Sequence, residues 1–185
     1  KGSTRVGWEG TDEPLPDGNW PLLAASAVAY GEQNQTPRAM TRADMDAVRD
    51  AFVASTRRAA EAGFDWLELH CAHGYLLSSF ICPLTNQSTG EYCGSLANRL
   101  RYPLEVFAAM RQAFGGVLGI RISASDWVDG AWDVAQSAEF AKRIKALGCD
   151  FIHVSSGGVS PAQKIALGAG SQVPFARDIR QASGL

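Results

Sequence analysis

Charge of one sign is missing from this chain. Its 185 residues carry 17 basic and 19 acidic side chains, a net charge of -2. That leaves no electrostatic footprint for DNA, RNA or an anionic membrane. No nucleic-acid or membrane partner is therefore expected. Long apolar runs are also missing; none approaches the ~20 residues of a membrane span. No basic-then-apolar leader is read at the start. Residue 1 is Lys rather than Met, in surroundings that read like the middle of a loop. A piece of a longer, cytoplasmic polypeptide is the expectation. Cysteines are few: Cys71, Cys82 and Cys93, spaced by eleven, and Cys149. No zinc or iron–sulfur pattern has that spacing. Small, partly buried thiols in a reducing compartment are expected instead.

What is present argues for a real core. Hydrophobic residues make up 46% and charged ones 19%, which excludes a disordered chain. The length suits one domain of up to ~200 residues. Residues 1–40 are rich in turn signals: Gly2, Gly7, Gly10, Pro14, Pro16-Asp17-Gly18-Asn19, Gly31 and Pro37. Trp8, Trp20, Leu22 and Leu23 give this stretch something to pack, so it reads as a long loop excursion rather than a linker. Loops that long inside a domain are usually functional.

From residue 41 onward, helix and strand signals alternate. Thr41-Arg42-Ala43-Asp44 has capping-box spacing, with Asp in place of Glu. Met45, Val48, Phe52 and Ala59 recur at helical spacing, and Gly63 supplies a left-handed stop. Phe64 to His70 then reads as a short buried strand. The same pattern returns later. Asp133 caps a helix with Val134, Ala138, Ala141 and Ile144 on one face; Leu147-Gly148-Cys149-Asp150 stops it; Phe151 to Ser155 is the next strand. Between them lies a strand from Leu118 to Ser123, fed by a helix through Leu104, Phe107, Met110 and Phe114. Pro103 is expected to interrupt or restart that helix. A last helix starts near Pro174 and runs through Ile179.

Such alternation predicts a parallel sheet. Polar groups stand at the strand carboxyl ends (His70, Ser123, Ser155), where doubly wound sheets and (β/α)8 barrels both place ligands. Glu68 and Arg121 lie inside strands, which a barrel interior accommodates better than a sandwiched flat sheet. The expected fold class is therefore α/β, a (β/α)8 TIM barrel. A full barrel needs ~250 residues, so three strands make a central fragment.

His70-Cys71-Ala72-His73-Gly74-Tyr75 is the most informative stretch. Two imidazoles there can donate to one substrate oxygen, and donors aimed at developing negative charge contribute ~2.7–4 kcal/mol each. A phenol stays protonated at neutral pH and can supply a proton. Two satisfied structural histidines are the plain alternative. A metal site on His70, His73 and His153 would make a metal-dependent barrel hydrolase, but His-x-x-His from a strand end is not the helical i,i+4 pair. Buried arginine needs an anion; Arg121 could pair with Glu68, face an anionic cofactor, or both. Ser155-Ser156-Gly157-Gly158 reads as a turn that permits close approach.

His70-Cys71-Ala72-His73-Gly74-Tyr75-Leu76-Leu77, Pro83-Leu84-Thr85-Asn86, Glu91-Tyr92, Gly94-Ser95 and Asn98-Arg99 resemble the Old Yellow Enzyme family of FMN-dependent ene-reductases. Arg121-Ile122-Ser123-Ala124, Asp126-Trp127, Ser155 through Ile165 and Gln172 through Ala176 resemble its bacterial NADPH dehydrogenase and xenobiotic-reductase branch. The resemblance implies an FMN-containing barrel reduced by NAD(P)H, which passes hydride to the activated C=C of an enone or similar electrophile. It implies that His70 and His73 bind the substrate oxygen, that Tyr75 is the proton donor, and that Arg121 lies beside the flavin. It places the three strands as the fourth to sixth of eight, and a homo-oligomer is a further expectation for the full-length protein. A catalytically incompetent remnant of the family is the alternative.

One loop departs from the family pattern. Where the family usually has Arg, Asp, Gly and Glu, this chain has Ser88, Gly90, Cys93 and Ala97. Loss of ion pairs tying the loop down is expected, with strain at Cys93 if its φ is positive.

Overall fold

The computed structural model describes residues 13–185. The opening turns, with Trp8, lie outside them. Along the chain come β1 (Leu23–Ala24), β2 (Arg38–Ala39), α1 (Arg42–Glu61), β3 (Trp66–Cys71), α2 (Leu76–Ile81), α3 (Leu96–Ala113), β4 (Val117–Ser123), α4 (Val134–Ala146), β5 (Ile152–Ser155) and α5 (Val173–Ser183). Among the described residues of the long excursion, 13–40, the regular elements are the two-residue strands β1 and β2, which pair in parallel.

Local signals set the helix ends. Thr41 Oγ1 accepts from the Asp44 N–H at 3.2 Å, while Asp44 Oδ2 accepts from the Thr41 N–H at 2.7 Å. This reciprocal box satisfies two donors that the first turn of α1 leaves open. Asp133 caps α4 through the Gln136 N–H at 2.8 Å. Gly63 and Gly148 follow α1 and α4 with φ of +86° and +84°, the left-handed stop that turns each helix into the next strand. Pro103 does not break α3, which runs unbroken from Leu96 to Ala113. Proline removes one ladder hydrogen bond, and burial of Leu100, Tyr102, Val106 and Phe107 outweighs that loss.

Strands β3, β4 and β5 form a parallel sheet in that order. Alternation gives the sheet two faces. Leu69, Cys71, Leu118, Ile120 and Ile122 are at most 1% exposed and belong to the core with Phe107, Phe140 and Ile144. The other face carries Trp66, Glu68 and His70 on β3, then Val117, Gly119, Arg121 and Ser123 on β4. His153 and Ser155 of β5 share it. This face corrects the expectation of a wholly buried strand from Phe64: Phe64 is 62% and Trp66 60% exposed. Helices cover one side only, and the described residues supply no further strands to cover the other. Trp66 instead stacks edge-on against Phe151, ring centroids 4.8 Å apart. Gly119 makes room for that ring; a Cβ there would lie 2.3 Å from it.

After β4 the chain buries Asp126, 1% exposed, with Oδ2 lacking a partner. Burial pushes its carboxyl up to about 6, partly offset by a hydrogen bond from the Cys82 thiol. The native state therefore holds a proton that the unfolded chain releases nearer pH 4. The resulting stabilisation is complete below pH 4 and disappears as pH rises through 6. Against Asp126→Asn in the complete protein, urea denaturation is expected to find wild type losing about 3 kcal/mol of relative stability between pH 4 and 7.

Candidate active site

The carboxyl ends of the strands carry the chemistry-bearing groups. Beyond β3 the chain turns sharply: His73 has φ +60° and Gly74 +72°, and the Tyr75 N–H closes the turn on the Ala72 carbonyl at 3.2 Å. Tyr75 is also the N-cap residue of α2, so turn and helix together fix where the phenol starts. A left-handed histidine is uncommon and needs support on every side. The His73 N–H donates to Ser123 Oγ at 3.0 Å, and that hydroxyl donates to the Gly157 carbonyl at 2.8 Å. His73 Nε2 and Ser155 Oγ lie 2.7 Å apart. Gly158, at φ +95°, lies so close that a Cβ would sit 2.6 Å from His73 Cα. The serine–glycine stretch thus permits close approach of backbone, as its composition implied.

These supports bring the three rim residues together. The His70 ring centroid is 5.3 Å from that of His73 and 5.5 Å from that of Tyr75. Tyr75 is 48% exposed. Burial lowers the His70 pKa below its ordinary value, with the Arg121 charge adding to the effect. Both effects favour the neutral imidazole, which has one N–H to donate and one nitrogen to accept.

Arg121 stands directly beside His70 in the β3–β4 register and beside His153 in the β4–β5 register. The anticipated Glu68–Arg121 salt bridge does not form. Glu68 Oε2 lies 3.0 Å from His153 Nδ1, two strands away, and Arg121 Nε is buried without a hydrogen-bond partner. An arginine in this state fits an anionic group such as the ring edge of a reduced flavin. Sequence reading missed the Glu68–His153 contact because no local pattern reports a pairing across an intervening strand. His73 and His153 are each engaged by a neighbouring side chain, and no group of three His, Cys, Asp or Glu side chains suited to a metal ion gathers among the described residues.

Beside Tyr75 opens a cavity of about 240 Å3, bounded by Trp20, Leu22, Val28 and Tyr30 of the long loop and by Leu76 and Ser79 of α2. His70 and His73 do not line it. The loop is held there by Ala25 N–H to Ser79 Oγ (3.1 Å) and Ser88 Oγ to the Ala25 carbonyl (2.6 Å). Ser88 thus gives the altered segment a neutral tie. The condition for strain at Cys93 is not met, because positive φ falls on Gly90 and Gly94 instead.

An open parallel sheet with helices on its outer side and a polar rim at the strand carboxyl ends is part of an α/β fold, and solved structures share it. Morphinone reductase aligns with a TM-score of 0.71 at 27% identity, over 91% of this chain and 49% of that one. A 2-naphthoyl-CoA reductase complex aligns with a TM-score of 0.76 at 24% identity, over 92% of this chain and 26% of that one, a likeness of fold alone. The sheet is a portion of such a TIM barrel, which the described residues do not close. The model of the NADH:flavin oxidoreductase / NADH oxidase family matches residues 12–180, and the chain belongs to that family. The NADPH dehydrogenase of Geobacillus sp. (strain WCH70) is 45% identical over 164 residues, 89% of this chain and 48% of the relative. The chain spans about half the length of the curated relatives it matches.

Gly158→Ala is expected to push the His73 turn out of place. In the complete protein, denaturant unfolding should register a loss of ~2 kcal/mol or more, because strain from positive φ adds to a clash with backbone. The His70 and His73 imidazole resonances should shift with it.

Proposed function

We propose that the full-length protein is an FMN-dependent ene-reductase, taking reducing equivalents from NADPH or NADH and delivering hydride to the activated C=C of an enone or similar electrophile. The observation that carries this reading is the rim itself: the His73 and Tyr75 rings lie 5.3 and 5.5 Å from the His70 ring, beside an arginine whose Nε lacks a partner. Bound FMN supplies the hydride chemistry. This chain's residues supply position, charge and a proton.

His70 and His73 hold the electron-withdrawing oxygen of the substrate. Each N–H aimed at that oxygen stabilises the negative charge that develops there, by ~2.7–4 kcal/mol per donor in favourable geometry. His70 is suited to this as a neutral donor, since a second full cation beside Arg121 would be repelled. Ser155 and Ser123 fix His73 by its ring and its backbone, which keeps the donor oriented before substrate arrives. The Tyr75 hydroxyl delivers a proton to the α-carbon, completing addition of hydride and proton across the double bond. Arg121 holds the anionic edge of the reduced cofactor. NADPH is the favoured reductant, in keeping with the names of the relatives.

Tyr75→Phe in the complete protein is expected to lower the rate of enone reduction by ~100-fold, the usual scale for a positioned acid, while NADPH still bleaches the flavin at the wild-type rate. Stopped-flow absorbance separates the two half-reactions; equal loss in both would count against Tyr75 as the acid. A second expectation concerns the 185-residue segment by itself. With Trp66 and the inner face of the sheet open, it should bind FMN weakly. Fluorescence titration with FMN checks this, and tight stoichiometric quenching would contradict it.

A further inference from the structure

We propose that His153 is a positioning residue for the cofactor side of this site: by holding the Glu68 carboxylate, it leaves the Arg121 charge uncompensated and available to an anion. The inference rests on the FMN reading above and adds to it a residue that never touches substrate.

Register makes the arrangement unexpected. Glu68 stands opposite Gly119, so Arg121 is its diagonal neighbour on the adjacent strand. Diagonal neighbours in a sheet sit ~7–8 Å apart, within reach of long side chains. His153 lies on the strand beyond, across two interstrand spacings of ~4.8 Å each. Carboxylate and guanidinium form the stronger charge-assisted pair. Glu68 nevertheless reaches across β4 to His153 Nδ1, at 3.0 Å. Arg121 Nε stays buried and unpartnered. A buried N–H left that way costs free energy unless an acceptor arrives, and an anion is the acceptor a guanidinium favours. The groups that share its surroundings are His70 from β3 and Glu68 and His153 from either side. Of these only Glu68 is anionic, and His153 occupies it.

Removal of the His153 imidazole should let the carboxylate swing onto Arg121 and neutralise it. The cofactor would then be held more weakly, and its anionic reduced form would lose most. The test uses the complete protein with FMN as the probe, read by fluorescence titration and by the flavin midpoint potential. His153→Leu is expected to raise the Kd for oxidised FMN ~3-fold and that for the reduced form ~10-fold more, which lowers the potential by about 30 mV for a two-electron couple. His153→Gln, which keeps a donor for Glu68, should return both values to within twofold of wild type. The double variant Glu68→Gln/His153→Leu should also recover, because no carboxylate remains to compete.

Wild-type Kd and potential in His153→Leu would overturn the proposal. So would a double variant as impaired as His153→Leu, since that pattern reports damaged packing rather than a redirected charge. Failure of the wild-type protein to bind FMN would instead overturn the ene-reductase reading, and this inference with it.

Discussion

One row of the sheet governs the rest. His70, Arg121 and His153 lie side by side across three parallel strands, and a slip of one residue in either pairing would send one of them into the helix-covered core. The pattern of Leu69, Ile120, Ile122 and Cys71 prevents that slip. Each is buried against the helices, and exchanging any strand's two faces would expose its apolar set. The hydrophobic core therefore aligns the polar row without touching it. Parallel pairing then brings all three strand ends to one rim, where His73, Tyr75, Ser123 and Ser155 collect.

The electrostatics of that row are unusual for what they leave open. Most charged pairs among the described residues are on exposed or half-exposed helix surfaces, such as Arg42–Asp46 and Arg143–Glu139, where such pairs add little. The sheet face holds one anionic side chain and spends it on an imidazole. Arg121 is left with a buried Nε–H that no neighbour accepts. Functional sites are where such unfavourable local arrangements concentrate.

Much of this was legible in the sequence because it is encoded over short distances. The Thr41–Asp44 box, the Asp133 cap, the glycine stops at Gly63 and Gly148 and the Pro174 start each need four residues or fewer, and each stands as read. The rim stretch from His70 to Tyr75 is similarly local. What escaped was set by packing or by partners distant in sequence. Pro103 reads as a break until the apolar residues that hold α3 together are counted. The short helix α2 follows a strand with no capping side chain to announce it. Glu68 and His153 are separated by 85 positions, and their meeting depends on a register that the one-dimensional pattern does not contain. Gly157-Gly158 announced close approach, but only the fold identifies the His73 turn as what approaches.

The two walls of the cavity beside Tyr75 differ in kind. One belongs to α2, continuous with the rim turn; the other is the long excursion, whose regular pieces among the described residues are β1 and β2. Trp20, Leu22 and Val28 belong to that second wall and stand outside the sheet that positions the histidines. Lineages descended from one ancestral barrel could diversify the shape of this cavity by rewriting the loop wall, while inheriting the rim turn unaltered.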